Sequence, residues 1–153
     1  MKTTRRLALL TLACASLAGT AFAQERGTKD EAKAMADAAF DHLKKVGPDQ
    51  AYKDFTTDKA NWTKKDLYVM AYDNKAVCLA HGANDKLVGK DLTAVKDANG
   101  KPVVLGLLEV ANKGGGWFDY DWPHPVSKKI EPKTTFARKL PSGDGFVGVG
   151  IYR

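Results

Sequence analysis

The sequence has few of the residues that hold small extracellular domains together. It contains only two cysteines among 153 residues. Cys14 falls in a leader that we expect to be removed, so Cys78 has no partner for an intramolecular disulfide. Cys78 lies in the apolar run "KAVCLAHG". We expect a small buried hydrophobic residue there, because His81 is three residues on and would point to the opposite face of a strand.

Metal-binding and catalytic patterns are also missing. His42, His81 and His124 are scattered, and none is spaced with another histidine or a cysteine as metal ligands are. Asp119 and Asp121 share a strand face, but they cannot flank a substrate across a cleft as glycosidase carboxylates do. The sequence has no nucleophile elbow, and a strand rather than a helix follows its triple glycine. We therefore expect no metal, no cofactor and no enzymatic activity.

Only one long apolar run is present, and it lies near the start of the chain. "LALLTLACASLAG" follows the basic "MKTTRR" and precedes the small residues of "AFA". This order is typical of a secretory signal peptide, and the run is too short to span a bilayer. We predict a signal peptide over 1–23, cleaved after Ala23, and a periplasmic or secreted domain over 24–153. The alternative is a lipoprotein anchored at Cys14, which the preceding "TLA" fits poorly.

Strong charge of one sign is missing once the leader is removed. The formal charge is +6, and the leader holds three basic residues and no acidic ones, which leaves +3. A charge this small, spread along the chain, does not favour a nucleic-acid partner. The remaining length suits one domain with a real hydrophobic core.

What the sequence does contain is a clear alternation of helical and strand patterns. "TKDEAKAMADAAFDHLKKVG" predicts a long helix, with Thr28 and Glu31 placed as a capping box. "PDQAYKDFTT" predicts a short second helix, and "DKANWTKKD" a polar connection. Two β-rich runs over 67–72 and 76–80, around the turn Asp73–Lys75, predict a hairpin.

The second half of the chain predicts most of the sheet. "VVLGLLEVAN" fits a helix or a buried strand, and its leucines and alanine favour the helix. "GWFDYDWP", "KTTFARKL" and "GFVGVGIYR" predict three consecutive strands, which short links should pair antiparallel. The sum is an α+β fold, a five-stranded antiparallel sheet with a long N-terminal helix packed on it.

The order of these segments resembles the single Cache domain, the PAS-like extracytoplasmic sensor module of bacterial receptors. The resemblance rests on the hairpin turn followed by "AHG", on "VGKDL", on the D-x-x-G of "DANG", on "GWFDYDW" and on "VGVGIY". It implies a PAS-like sheet that binds a small metabolite, often a short organic acid or amino acid. The sequence stops at Arg153 without an output domain, so we expect a free-standing module. Gly82 departs from the family, which usually has proline after the hairpin histidine.

The candidate site residues come from the residues themselves and from this resemblance. In a strand Phe118, Tyr120 and Trp122 share one face, and tyrosine and tryptophan suit a pocket that holds a polar ligand. The resemblance adds Lys133 as the cation for an anionic ligand, and His81 near the pocket. The predicted ligand contacts are Tyr68, Tyr72, His81, Trp117, Tyr120, Trp122, Lys133 and Phe136.

Two functions remain open from the sequence. The first is a soluble periplasmic sensor module that binds a carboxylate or an amino acid and presents it to a membrane signalling or transport partner. The second is a structural or interaction protein, in which aromatic side chains fill the pocket and an outer surface binds a partner, such as a membrane receptor or a second copy. A cavity lined by the predicted residues would favour the first, and a solid core the second.

Overall fold

The computed structural model describes residues 25–153, and the predicted signal peptide with Cys14 lies outside these residues. The chain begins with α1 (Lys29–Val46), which the predicted capping box of Thr28 and Glu31 starts. Then follow α2 (Pro48–Thr57) and a four-residue helix, α3 (Lys59–Trp62). We had expected a polar connection at α3, but the Asp58 side chain accepts a hydrogen bond from the Asn61 N–H and caps a helical turn there.

The strands form one antiparallel sheet. They are β1 (Thr63–Lys64), β2 (Leu67–Asp73), β3 (Cys78–His81), β4 (Gly116–Pro123), β5 (Ile130–Lys139) and β6 (Gly145–Tyr152). The main path runs β1-β2-β6-β5-β4, and β3 also pairs with β2. The predicted five strands and the α+β class are confirmed, and the two-residue β1 adds a sixth strand.

The connection between β3 and β4 crosses the sheet. A 3₁₀ turn at Asp85–Leu87 and a turn-rich stretch lead to α4 (Val103–Asn112). The sequence of this segment fits either a helix or a buried strand, and its leucines and alanine favour the helix. It is a helix because its spacing buries one stripe, including Val104, Leu107 and Ala111, against the sheet.

The sheet is covered on both sides, which explains why the central strand β2 is apolar almost throughout. On one side α1 and α2 pack on Val69, Ala71 and other small residues of β2 and β6. On the other side α4 and the loops pack on Tyr68, Met70 and Tyr72. We call these the helix face and the cleft face. Because side chains alternate along a strand, each strand contributes to both.

Candidate ligand-binding site

Six of the eight predicted ligand contacts lie together on the cleft face. They come from β2, β4 and β5 and from the end of β3: Tyr68, Tyr72, His81, Tyr120, Trp122 and Lys133. The pairing register explains part of this convergence. Lys133 is opposite Tyr120 on β4 and opposite Tyr152 on β6, and residues directly opposite each other share a face.

Trp117 and Phe136 do not join this group. They pack together on the helix face, with ring centroids 5.4 Å apart, under α1. Lys29 Nζ lies 5.0 Å from the Trp117 ring and Lys33 Nζ lies 5.3 Å from the Phe136 ring. Trp117 is three residues from Tyr120, and Phe136 is three from Lys133. An odd spacing puts two strand residues on opposite faces.

The centre of the group is a buried lysine. Lys133 is fully buried, and its Nζ lies 2.5 Å from the Tyr68 Oη and 3.4 Å from the Tyr152 Oη. The ammonium also lies over both rings, 4.1 Å and 4.7 Å from their centroids. Gly150 makes room for the lysine, because a Cβ there would come within 2.4 Å of the Lys133 Cε.

Lys133, Tyr68 and Tyr152 form a chain of polar contacts that ends at the backbone carbonyl of Pro123. Lys133 donates to the Tyr68 hydroxyl, which lies 3.3 Å from the Tyr152 hydroxyl, and Tyr152 donates to the Pro123 carbonyl at 2.8 Å. The Tyr68 proton is thus left with only a long contact to Tyr152. A hydroxyl that accepts from a cationic donor is itself a stronger donor, since chained hydrogen bonds polarise one another.

Lys133 has no anionic partner at contact distance. Within residues 25–153 it forms no salt bridge with a carboxylate. Burial holds the pKa of the lysine well below its usual value, while the charge of Asp66 acts in the opposite direction. A buried cation without a paired anion is costly, and an anionic ligand would relieve that cost.

His81 presents a single, fixed donor. Its Nδ1 accepts hydrogen bonds from the backbone N–H groups of Ala83 at 3.3 Å and Asn84 at 3.0 Å. The neutral ring must therefore carry its proton on Nε2. Burial, followed by the charges of Lys133 and Lys59, lowers the pKa of His81 to about 3, so the ring stays neutral at neutral pH.

His124 repeats this arrangement on the other side of the cleft, and our sequence analysis missed it. Its Nδ1 accepts from the backbone N–H groups of Val126 at 3.3 Å and Ser127 at 3.2 Å, which again leaves the proton on Nε2. The His124 ring packs edge-on against Tyr152, with centroids 4.7 Å apart. The shared pattern is a histidine with small or polar residues two and three positions on, "HGAN" and "HPVS", and it was a usable signal.

Two spaces lie on the cleft face. The inner one, under α4, has a volume of about 10 Å³ and is bounded by Tyr72, Tyr120, Leu107 and other apolar side chains. The Tyr120 hydroxyl is already bonded to the Thr135 hydroxyl at 2.9 Å. The outer space is a cleft of about 480 Å³, and we call it the His–Tyr cleft. Its walls are Tyr68, His81, Ala83, Asn84, Lys86, Leu87, Trp122, Pro123, His124, Pro125 and Lys128.

The lining of the His–Tyr cleft is rich in donors, and among residues 25–153 no carboxylate contributes to it. Tyr68, His81 and His124 supply donors at the base, and Lys86 and Lys128 lie at the exposed rim. Lys133 is not part of the lining itself but lies directly behind Tyr68. This arrangement is suited to an anionic group with a short apolar part against Trp122.

Other chemistry has less support among the described residues. In residues 25–153 no three His, Cys, Asp or Glu side chains lie together as metal ligands. Cys78 is buried, as expected, and burial raises the pKa of its thiol to about 11, so it is protonated at neutral pH. Over the same residues, no helix is both long and apolar enough to cross a membrane.

Comparisons with known proteins agree with this fold. The family model described as Single Cache domain 2 matches residues 8–153. The sensor histidine kinase MctS of Rhizobium johnstonii is 30% identical over 88 residues, and the methyl-accepting chemotaxis protein McpP of Pseudomonas putida 28% over 88 residues. These alignments cover 58% and 57% of this chain but only 19% and 16% of the two relatives.

Solved structures of sensor domains superpose on most of the chain. A methyl-accepting chemotaxis protein from Vibrio parahaemolyticus has a TM-score of 0.72 at 30% identity, over 81% of this chain and 87% of that one. A Cache chemosensory domain described as recognising carboxylic acids has a TM-score of 0.68 at 23% identity, over 80% and 91%. A periplasmic sensor domain of a chemotaxis protein has a TM-score of 0.64 at 26% identity, over 78% and 91%.

Proposed function

The chain belongs to the single Cache domain 2 family, and we propose that it binds a short organic acid in the His–Tyr cleft. It is a single Cache sensor domain, homologous to sensor domains of chemoreceptors and histidine kinases. The observation that carries the proposal is the set of donors around one cleft. His81 and His124 each have Nε2 as their only N–H, and the Tyr68 hydroxyl is backed by Lys133.

A carboxylate matches this set of donors in number and in charge. Its two oxygens offer about four lone pairs, enough for two imidazole N–H groups and one hydroxyl. The buried Lys133 supplies the opposite charge through Tyr68, and it would gain the anion that it lacks in the ligand-free protein. The carboxylic acid recognition described for one related Cache domain is consistent with this choice.

We favour a carboxylic acid without an amino group over an amino acid. An α-ammonium group needs an acceptor, and no Asp or Glu of the described part of the chain, residues 25–153, lines the cleft. The Asn84 side-chain oxygen accepts from the Lys86 N–H, and the Pro123 carbonyl accepts from Tyr152. Trp122 and the limited inner space favour a short apolar tail. The predicted contacts Tyr72 and Tyr120 would then shape the inner wall rather than bind the carboxylate.

Membership of this family also supports a proposal for where the domain acts and for the kind of partner it has. We propose that the domain acts outside the cytoplasm and reports its ligand to a membrane signalling or transport partner. The predicted signal peptide and the sensor proteins to which the chain is similar support this proposal.

The test is a calorimetric titration of residues 24–153 with propionate, lactate, succinate and alanine, together with thermal unfolding. We expect a short carboxylate to bind and to raise the melting temperature. At a ligand concentration of a hundred times the dissociation constant, the free energy of unfolding should rise by about 2.7 kcal/mol. Lys133→Met should weaken that binding at least about a hundredfold, since Lys133 is the one buried lysine or arginine among residues 25–153.

Lys101→Met is the matched control. Lys101 also lies over an aromatic ring, with its Nζ 5.4 Å from the Phe118 centroid, but it is exposed and donates to the Asp119 carbonyl. Its loss should leave the affinity unchanged. Tighter binding of alanine than of propionate would move the proposal to amino acids, and equal binding by wild type and Lys133→Met would overturn it.

A second function is favoured by one observation. The inner space under α4 is almost filled, as expected if aromatic side chains occupy the pocket of an interaction protein. A separate open groove of about 610 Å³ lies between α1, α2 and α3, with Met35 and Trp62 in its lining. If every acid fails to bind the folded protein, this groove becomes the first surface to test for a protein partner.

A further inference from the structure

Asp66 is a buried carboxylate with one oxygen left unpaired. The residue is 1% exposed and lies just before β2. Its Oδ1 accepts a hydrogen bond from the Gly27 backbone N–H at 2.6 Å. Its Oδ2 is buried without a hydrogen-bond partner among residues 25–153. A buried acceptor in this state is rare enough in a native fold to need an explanation.

The sheet register explains what Asp66 is near. Val69 of β2 is opposite Val149 of β6, and continuing this antiparallel register toward the start of β2 places Asp66 level with Tyr152. Tyr152 is in turn paired with Lys133. The two buried ionisable side chains, Asp66 and Lys133, therefore belong to the same end of the sheet.

Among residues 25–153 no other carboxylate is buried at this end of the sheet. The nearby Glu131 lies on the same strand as Lys133, but it faces Arg26, with the Glu131 Oε2 2.7 Å from a guanidinium nitrogen. The titratable groups that face the Lys133 ammonium from the surrounding elements are Tyr68 of β2, His81 of β3, Tyr120 of β4, His124 after β4, Tyr152 of β6 and Asp66. Asp66 is the one carboxyl group among these described residues, and burial raises the pKa of Tyr68, Tyr120 and Tyr152.

We propose that Asp66 is a positioning residue for ligand binding: its carboxylate is the distant counter-charge that keeps the Lys133 ammonium at the base of the His–Tyr cleft. Gly27 holds Asp66 in place, beyond salt-bridge distance of Lys133. The lysine therefore stays bonded to Tyr68 instead of being withdrawn into an ion pair, and it remains ready for an external anion. This inference rests on the proposed function in assigning the purpose of Lys133, but the coupling of the two charges can be measured without any ligand.

The experiment follows the Lys133 ε-carbon by NMR in ligand-free protein labelled with ¹³C-lysine, over a range of pH. Lys133→Met identifies the signal by its loss. Asp66→Asn is the informative variant, because the amide oxygen can still accept from the Gly27 N–H while the charge is removed. We expect the Lys133 titration midpoint to fall by about one pH unit or more in this variant.

Glu131→Gln is the matched control. It removes a carboxylate of the same strand and breaks the pairing with Arg26, so a change in fold at this end of the sheet would show there too. The Lys133 midpoint should stay within a few tenths of a unit of wild type. An unchanged midpoint in Asp66→Asn, or an equal fall in Glu131→Gln, would overturn the proposal.

A second measurement tests the same coupling without a substitution of Asp66. The Gly27 amide donates to the other oxygen of the same carboxylate, so its chemical shift should follow the charge of Lys133. In wild type the Gly27 amide should titrate with the Lys133 midpoint, and in Lys133→Met that titration should vanish. Titration that persists in Lys133→Met would contradict the coupling, whether or not a carboxylic acid binds in the cleft.

Discussion

Both faces of the sheet place lysines over aromatic rings, but the lysines differ in burial and in their charged partners. On the helix face Lys29 and Lys33 lie over the Trp117 and Phe136 rings, and on the cleft face Lys133 lies over two tyrosine rings. The helix-face lysines are exposed, and Lys33 is paired with Asp37 at 2.7 Å. Lys133 is fully buried and has no carboxylate at contact distance within residues 25–153.

This difference separates the paired charges of the helix face from the charge at the candidate site. Arg138 repeats the helix-face pattern, since it stacks 3.7 Å from the Phe40 centroid and pairs with Asp37. Charges that are paired and reached by water contribute little and are satisfied within the protein. Lys133 differs from these charges because it is fully buried and because it pairs with no carboxylate among residues 25–153. The contrast therefore rests on the partners and the burial of the charges, not on composition.

The largest expected effect is a loss of folding stability at acid pH, which arises from His81 on the cleft face. His81 has a folded-state pKa of about 3, below its ordinary 6.5, because of burial and nearby lysine charges. The unfolded chain therefore takes up a proton below pH 6.5 that the folded chain resists. Stability should fall as the pH drops from 6.5 toward 3, by at most about 5 kcal/mol, and this effect should be absent above 6.5.

Denaturant unfolding of wild type and His81→Asn over this range measures the contribution. The asparagine oxygen can replace Nδ1 as the acceptor for the Ala83 and Asn84 amides, but it does not titrate. The variant should lose stability less steeply with acid. Phe136→Ala serves as the control, because it should lower stability and keep the wild-type slope. Parallel curves for wild type and His81→Asn would show that His81 is not held neutral by burial.

Phe136→Ala is also the sharpest test of the division between the faces. Phe136 is half-buried against Trp117 on the helix face. Its truncation should lower the free energy of unfolding by about 2 kcal/mol, through lost burial and packing. The affinity for a short carboxylate should be unchanged, since the ring faces away from the His–Tyr cleft. A tenfold loss of affinity at unchanged fold would return Phe136 to the binding site where our sequence analysis placed it.

The smallest expected effect lies at the start of α1. Thr28 caps the helix, and its side chain accepts from the Glu31 N–H while Glu31 accepts from the Thr28 N–H. Thr28→Ala should reduce stability by about 1 kcal/mol in chemical unfolding. Carboxylate affinity should again stay the same. If affinity fell as well, the beginning of α1 would be coupled to the cleft, and the two faces would not act independently.

Much of the candidate site could be predicted from the sequence. The face of the sheet on which each residue lies was predicted correctly for only some of them. Tyr120 and Trp122 were predicted from their shared strand parity, and the structure places them on one face as expected. Trp117 was included with them although its parity placed it on the other face. His124 was set aside because no second metal ligand was spaced with it, whereas its role depends on backbone amides of its own loop. Gly150 carried no signal, since its small size matters only beside Lys133.

The local structure and the family could be inferred from the amino-acid sequence alone. Spacing of apolar residues, a capping box and turn residues specify α1, the hairpin and the last three strands, because these features depend on near neighbours in the chain. Which charges are buried and which are paired depends on contacts made in the folded domain. Lys133, Asp66 and Tyr152 are far apart in sequence, and sheet register brings them to one end of the fold. Burial and electrostatic partners are properties of that assembly, so the chemistry of the candidate site is a consequence of packing.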